Sequence, residues 1–305
     1  MHGLFDSLTS LPHLGETLSV LSALIWAFAI IIFRVVGQRV HALGMNLFKS
    51  ALAASLFALT MVITGEAFLP SLPGHHYLLL FLSGLLGIAV ADTLLFIALN
   101  KLGAELTAIV DCVYVPFVIG LSILFLGERM NPVQSAGVGF IVLAVFLITR
   151  RKSEAQIPRR TLLTGIGAGV LSMFFSAAGI VLMKPVLSHA SLIWASFVRL
   201  TSGAVFVGLT IAVRPGRRAI LAPLRSAGNI RLLAPASFLA SYLSLVIWMG
   251  GMKYTQASIA AALNQMSTIF IFILAAIFLK ERITPLKLAA VILAFAGAIL
   301  VAIPL

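Results

Sequence analysis

Ten apolar runs, each closed by charges, proline or glycine, follow one another along the chain. They lie at residues 17–36, 42–64, 76–98, 104–126, 132–149, 162–183, 190–213, 231–252, 257–279 and 285–304. Their lengths suit helices that cross a hydrocarbon core, which takes about 20 residues each. None alternates apolar and polar residues over ten-residue segments, the pattern of a lipid-embedded β-barrel. A helix remains, because in lipid every backbone amide must find its partner within its own segment. The pattern predicts an all-α membrane protein with ten transmembrane helices. The longest polar stretches are 150–160 (RRKSEAQIPRR) and 214–231. The first divides the chain into a half at 1–150, a basic linker at 151–161 and a second half at 162–305.

Composition agrees. Of 305 residues, 61% are hydrophobic and 10% charged, and the mean hydropathy is +1.13. A soluble domain is nearer half apolar and one-quarter charged. This excludes a soluble enzyme, a disordered chain and a receptor with a large water-exposed domain. A net charge of +12 would suggest nucleic acid as the partner of a soluble protein. Here the cations sit mostly in short connections, where they set orientation in a lipid bilayer, so no nucleic acid is expected. The single cysteine, Cys112, excludes an internal disulfide and a multi-cysteine zinc site. Residues 1–14 lack Lys and Arg and carry Asp6, so they read as a short lead-in rather than a signal peptide.

The halves repeat. VLSALIWAFAIIIFR (20–34) lies on VLSMFFSAAGIVLMK (170–184), which sets Arg34 on Lys184 and Lys49 on Arg199. FLGERMNP (125–132) lies on FLKERITP (278–285), which sets Asp111 on Asn264, Tyr114 on Ser267 and Asp92 on Leu245. Five spans per half is an odd number, so the second copy enters the membrane from the opposite side. Such inverted repeats rock to open each face in turn, which points to a transporter.

Trp26-Ala27, the stretch 91–139 and its echo at 250–295 resemble the EamA-type branch of the drug/metabolite transporter superfamily. The shared features are an Ala/Gly-rich lead-in, an apolar span closing on Gly127-Glu128-Arg129, and a Gly-rich next span. The second copy departs from this with Lys280-Glu281-Arg282. The resemblance covers the whole chain as two copies. It implies a ten-helix secondary carrier of two inverted five-helix repeats around a central pocket, without nucleotide hydrolysis. No GxxxxGK[ST] motif is present.

Orientation is read from the connections. Odd-numbered ones hold most of the cations, among them Arg150, Arg151, Lys152, Arg214, Arg217, Arg218 and Lys287, whereas even ones hold Arg129, Lys184 and Lys253. Lys and Arg favour the cytoplasmic side, so the count places both termini outside. The resemblance implies cytoplasmic termini. The count is preferred, since it bears on this chain's own insertion into the cell (inner) membrane.

Asp92 and Asp111 are the carboxylates well inside predicted spans. A central Asp costs about 2.5–3.5 kcal/mol on insertion scales and normally faces protein or water. Asp111, Tyr114 and Thr107 are expected on one helix face, opposite Asn264, Gln265 and Ser267 of the second half. Asp111 is either a proton-titrating or amine-binding group, or a protonated acid bonded to Asn264 or Tyr114. Asp92 is either a relay or a structural hydrogen bond. Lys49 and Arg199 are either a cation pair for an anionic solute, or snorkelling side chains. Trp26, Phe174, Phe175, Tyr114, Tyr242 and Trp248 offer apolar pocket walls; Trp194 and Tyr77 sit at span ends. Gly165, Gly167 and Gly169 (GIGAG) read as a helix-packing stripe, and Glu128 and Glu281 as caps or partners of Arg129 and Arg282. His75-His76 is a loop pair, and no histidine spacing suggests a metal.

The sequence thus predicts a secondary transporter of a small organic metabolite, such as an amino acid or related compound. It would work by alternating access with proton coupling or exchange. The alternative is a channel or lipid/amphiphile translocase on the same fold. Neither enzymatic activity nor a cofactor is expected, and the protein should be a monomer or weak homodimer.

Overall fold

The computed structural model describes residues 13–126, 131–149, 157–254, 263–281 and 283–302. Among them all regular structure is helical. The helices of the first half are α1 (Leu14–Val36), α2 (Ala42–Thr64), α3 (Gly74–Gly84), α4 (Ala91–Leu102), α5 (Ala104–Asp111), α6 (Tyr114–Leu126) and α7 (Pro132–Thr149). The second half holds α8 (Arg159–Met183), α9 (Leu192–Ala212), α10 (Arg217–Leu221), α11 (Ala227–Phe238), α12 (Ser244–Tyr254), α13 (Met266–Phe278) and α14 (Pro285–Ala302). Among the described residues seven helical stretches are long and apolar enough to cross a membrane, and three shorter apolar helices (Pro132–Leu147, Met266–Phe278, Pro285–Leu300) accompany them.

Local chemistry sets the ends. His41 caps α2, its Nδ1 accepting from Leu43 N at 3.1 Å, and Gly65 closes that helix at φ +73°. Ser191 caps α9 by accepting from Trp194 N at 3.1 Å. Pro132 and Pro285 open α7 and α14, where the missing N–H costs nothing.

Two kinds of irregularity recur. The rod from α3 into α4 contains a π-helical turn at Leu85–Val90, and the rod from α11 into α12 contains one at Leu239–Leu243. Both fall on matching positions of the sequence repeat. The expected single helix at 104–126 is interrupted at Cys112–Val113, which puts a break between Asp111 and Tyr114. Pro116 explains it: proline has no N–H for the carbonyl four residues earlier, that of Cys112, and its ring crowds that turn. The counterpart position in the second half, Gln265, is a turn between the helical residues 263–264 and α13. Residues 255–262, part of the expected span 257–279, lie outside the described residues, as do Gly127, Glu128, Arg129, Arg282 and most of the lead-in and linker.

Helix pairing follows a regular scheme. α1 packs on α11, α12 and α13, while α8 packs on α3, α4 and α6. α2 packs on α9 and α11, α9 on α2 and α3, and α7 on α14. Close approach uses glycine: a Cβ on Gly179 would lie 2.9 Å from Gly87 Cα, so the α8 backbone touches the π turn directly. Gly165 and Gly169 seat Leu102 and Val110 in the same way, whereas Gly167 faces open space. The packing stripe therefore has two members rather than three. The outer surface is apolar, with Ile63, Leu124, Val213, Ile277 and Ile292 largely exposed, as a lipid environment allows. An apolar groove of about 420 Å³ between α13 and α14 belongs to this surface; Ile273, Ile277 and Ile292 line it.

Candidate functional site

The π turn at Leu85–Val90 releases backbone carbonyls inside the bundle, and Asn46 of α2 collects them. Its Nδ2 donates to Ile88 O (2.8 Å), Ala89 O (3.3 Å) and Thr93 Oγ1 (2.9 Å), and Ser50 Oγ donates to its Oδ1. One turn along α2, Lys49 Nζ donates to Asp92 Oδ2 at 2.5 Å, with the two side chains 7% and 16% exposed. An apolar span tolerates both charges because they are paired and hydrogen-bonded. Lys49 is thus an interior residue and not a snorkelling one, and Asp92 is the partner that holds it there.

Arg199, on the matching position of α9, has no such partner among the described residues. Its counterpart to Asp92 is Leu245, which packs with Tyr242, Ile88, Phe57 and Leu200. The Arg199 guanidinium makes one hydrogen bond, from Nη1 to the Met183 thioether at 3.3 Å, and its buried Nε has no partner. Nη2 lies against Gly87, whose added Cβ would come within 3.1 Å. Asp92 and Tyr114 are close enough to act on its charge. Tyr114 in turn feels Asp111, which sits at the break between α5 and α6.

Among the described residues Asp111 makes no hydrogen bond to Asn264 or Tyr114, though its charge acts on Tyr114. The break puts Asp111 at the end of α5 and Tyr114 at the start of α6. Asp92, Asp111, Tyr114, Arg199, Asn264 and Gln265 are each half-buried. The direct link across the two breaks comes from Cys112, whose Sγ lies 3.5 Å from Thr268 Oγ1.

Aromatic side chains stand on either side. Trp26 packs with Tyr114, Phe117 and Phe272 in one apolar cluster. Phe117, Phe174 and Phe175 form a chain of edge-on contacts at 5.5 Å. Tyr242, inside the second π turn, meets Phe57 at 5.1 Å and shares a 2.7 Å hydrogen bond with Thr60. The Trp248 Nε1 is buried without a hydrogen-bond partner. Trp194 and Tyr77 are tied to the connection before α3: Trp194 Nε1 donates to Phe68 O, Tyr77 OH donates to Pro70 O, and the two rings meet edge-on. His75 and His76 open α3 and do not form a loop. Among the described residues no cluster of His, Cys, Asp or Glu suits a metal ion.

A family model for the EamA-like transporter family matches residues 13–150 and, a second time, residues 163–303. The chain belongs to the EamA-like transporter family. A solved structure described as "Crystal structure of protein" is similar in fold, with a TM-score of 0.64 at 14% identity over 97% of this chain and 96% of that one. No curated protein matches the sequence. As an EamA-like transporter, the chain is a multi-pass membrane protein of a family that carries small solutes. The two matched segments each contain one π turn and one helix break, so the irregularities recur with the family unit.

Sequence reasoning missed one pairing in this EamA-like protein, that of Glu105 with Lys287. Glu105 has no exposed surface and pairs with Lys287, which lies inside α14 and not in a connection. Its place at the first turn of an apolar run was the available signal. Glu281 caps α5 of the other half, accepting from Ala104 N (3.0 Å) and Glu105 N (3.3 Å), beside Gly103 at φ +86°. At the same end Arg34 donates to Leu99 O and Asn100 O, and Lys101 donates to Thr164 Oγ1.

Proposed function

We propose that the protein is a secondary carrier of a small organic metabolite, with ten spans arranged as two inverted five-helix repeats. The repeats run over 1–150 and 162–305, joined by the basic linker 151–161. Helix pairing supports this reading, because exchanging the halves leaves it unchanged: α1 with α11, α12 and α13 becomes α8 with α3, α4 and α6. The observation that carries the functional reading is the placement of half-buried polar groups at symmetric breaks. Asp111 and Tyr114 flank one break, and Asn264 and Gln265 form the other. Interrupted helices whose free backbone groups face a solute are the means by which carriers hold cargo at mid-depth.

Asp92, Asp111, Tyr114, Arg199, Asn264 and Gln265 form the polar part of the solute site, with Trp26, Phe175, Tyr242 and Trp248 as its walls and Lys49 held by Asp92. The contacts of Glu281, Lys287 and Arg34 fasten one end of the bundle. Release of that end, with closure of the other, completes a transport cycle driven by proton coupling or exchange. The excess of cations in odd connections supports termini outside the cell. Reconstituted liposomes preloaded with unlabelled amino acids and organic acids test the carrier. Saturable counterflow of external tracer supports it, and non-saturating flux would favour a channel.

A further inference from the structure

We propose that Arg199 is an anion anchor, and that the solute of this carrier bears a carboxylate. The inference rests on the carrier reading of the same site and names the class of its cargo.

The two halves place a cation at the same position, but they treat it differently. Lys49 is neutralised by Asp92 at 2.5 Å. In the repeat register Leu245 falls where Asp92 serves Lys49, so the second half keeps the cation without a carboxylate of its own. A guanidinium offers five N–H donors in a fixed fork. The acceptor recorded for Arg199 is a thioether, a weak one, and the buried Nε has none. A buried donor left unpaired costs free energy, and a buried charge more. A group that persists in this state is completed by something outside the chain, and for a planar cation that is a bidentate oxyanion.

The surroundings fit a small anion. Gly87 presents bare backbone to Nη2, a close approach that any side chain there would push apart. Tyr114 is near enough to interact with the guanidinium charge. Asp92 repels an incoming anion less than a free carboxylate would, because its oxygen is held by Lys49. The next residue of α9, Leu200, packs in a cluster with Tyr242, Ile88 and Leu245, an apolar neighbourhood that suits the organic part of a carboxylic acid.

The test is thermal unfolding of the purified full chain in detergent against benzoate, phenylacetate and 3-phenylpropionate, each beside its amide and its amine. A ligand bound to the folded state raises Tm by mass action, visibly so at about ten times its Kd. Carboxylates should raise Tm of the wild type, and the amides and amines should not. Arg199→Gln should weaken carboxylate binding at least about tenfold, the loss expected of one charge-assisted hydrogen bond. Arg199→Lys should keep the preference at lower affinity. Gly87→Ala, which leaves every charge in place, should weaken binding by crowding Nη2, and it keeps the test available if the arginine variants fail to fold.

Equal stabilisation by amides or amines, no stabilisation by any carboxylate, or unchanged binding in both Arg199→Lys and Gly87→Ala would overturn the proposal. A carboxylate that binds through Arg199 but shows no counterflow in liposomes would leave the anchor standing and defeat the carrier reading instead.

Discussion

Lys287 of α14 is ion-paired with Glu105 of α5, so a carboxylate with no exposed surface in the first half is held by a cation of the second. Breaking a buried pair leaves an uncompensated charge, which costs about 3–5 kcal/mol. Lys287→Met should therefore lower Tm sharply, and the double change Glu105→Leu with Lys287→Met should recover much of it. If the double variant melts no higher than the single ones, the pair is not the unit that matters.

Gly103 and Gly167 separate two kinds of glycine. Gly103 has φ +86°, and an added Cβ would lie 2.7 Å from Glu281 Oε1, whereas Gly167 is helical with nothing near. Gly103→Ala should destabilise by more than 1 kcal/mol or so, through strain and loss of the cap. Gly167→Ala should stabilise by up to about 1 kcal/mol. Chemical or thermal unfolding of both variants checks the contrast.

Pro116→Ala supplies a helical N–H four residues after Cys112, whose carbonyl now accepts a long 3.4 Å bond from Val115 N. The break beside Asp111 should close, with a stability gain on the scale of one hydrogen bond, about 0.5–1.5 kcal/mol. Transport should fall several-fold, because Asp111 and Tyr114 would be re-registered on one helix. A rise in Tm without loss of counterflow would show that the break is not part of the site.

His41 gives a pH dependence outside the spans. Its Nδ1 accepts from Leu43 N, which requires the unprotonated ring atom, and burial with Arg214 nearby holds its pKa below 6.5. Protonation is thus disfavoured in the folded state. The stabilisation is present above pH 6.5 and declines as pH falls below it, since the unfolded chain then binds the proton first. Tm measured from neutral to mildly acidic pH should fall, and His41→Asn, which keeps a capping acceptor, should flatten that part of the curve.

Much of this fold was legible because hydrophobic runs of span length have few other uses. The bounds 42–64 and 132–149 recur in α2 and α7. The breaks were less visible. Pro116 sits in plain sequence, but an unbroken apolar stretch masks its effect, and the two π turns have no marker in hydropathy at all. The site was legible as residues and not as partnerships. Asp92, Lys49 and Arg199 stood out as charges in lipid, whereas Leu245 as the missing partner of Arg199 depended on seeing Asp92 taken by Lys49. Glu105 and Lys287 were hidden at run ends, where a charge ordinarily meets water.

The central claim is that both faces of the membrane reach the same residues in turn. Because Cys112 is the one cysteine, a Cys112→Ser background permits single reporters. Tyr114→Cys in that background, reconstituted in liposomes, should react with a membrane-impermeant thiol reagent applied from either side. Labelling confined to one side under every condition, or absent from both, would contradict alternating access at this site.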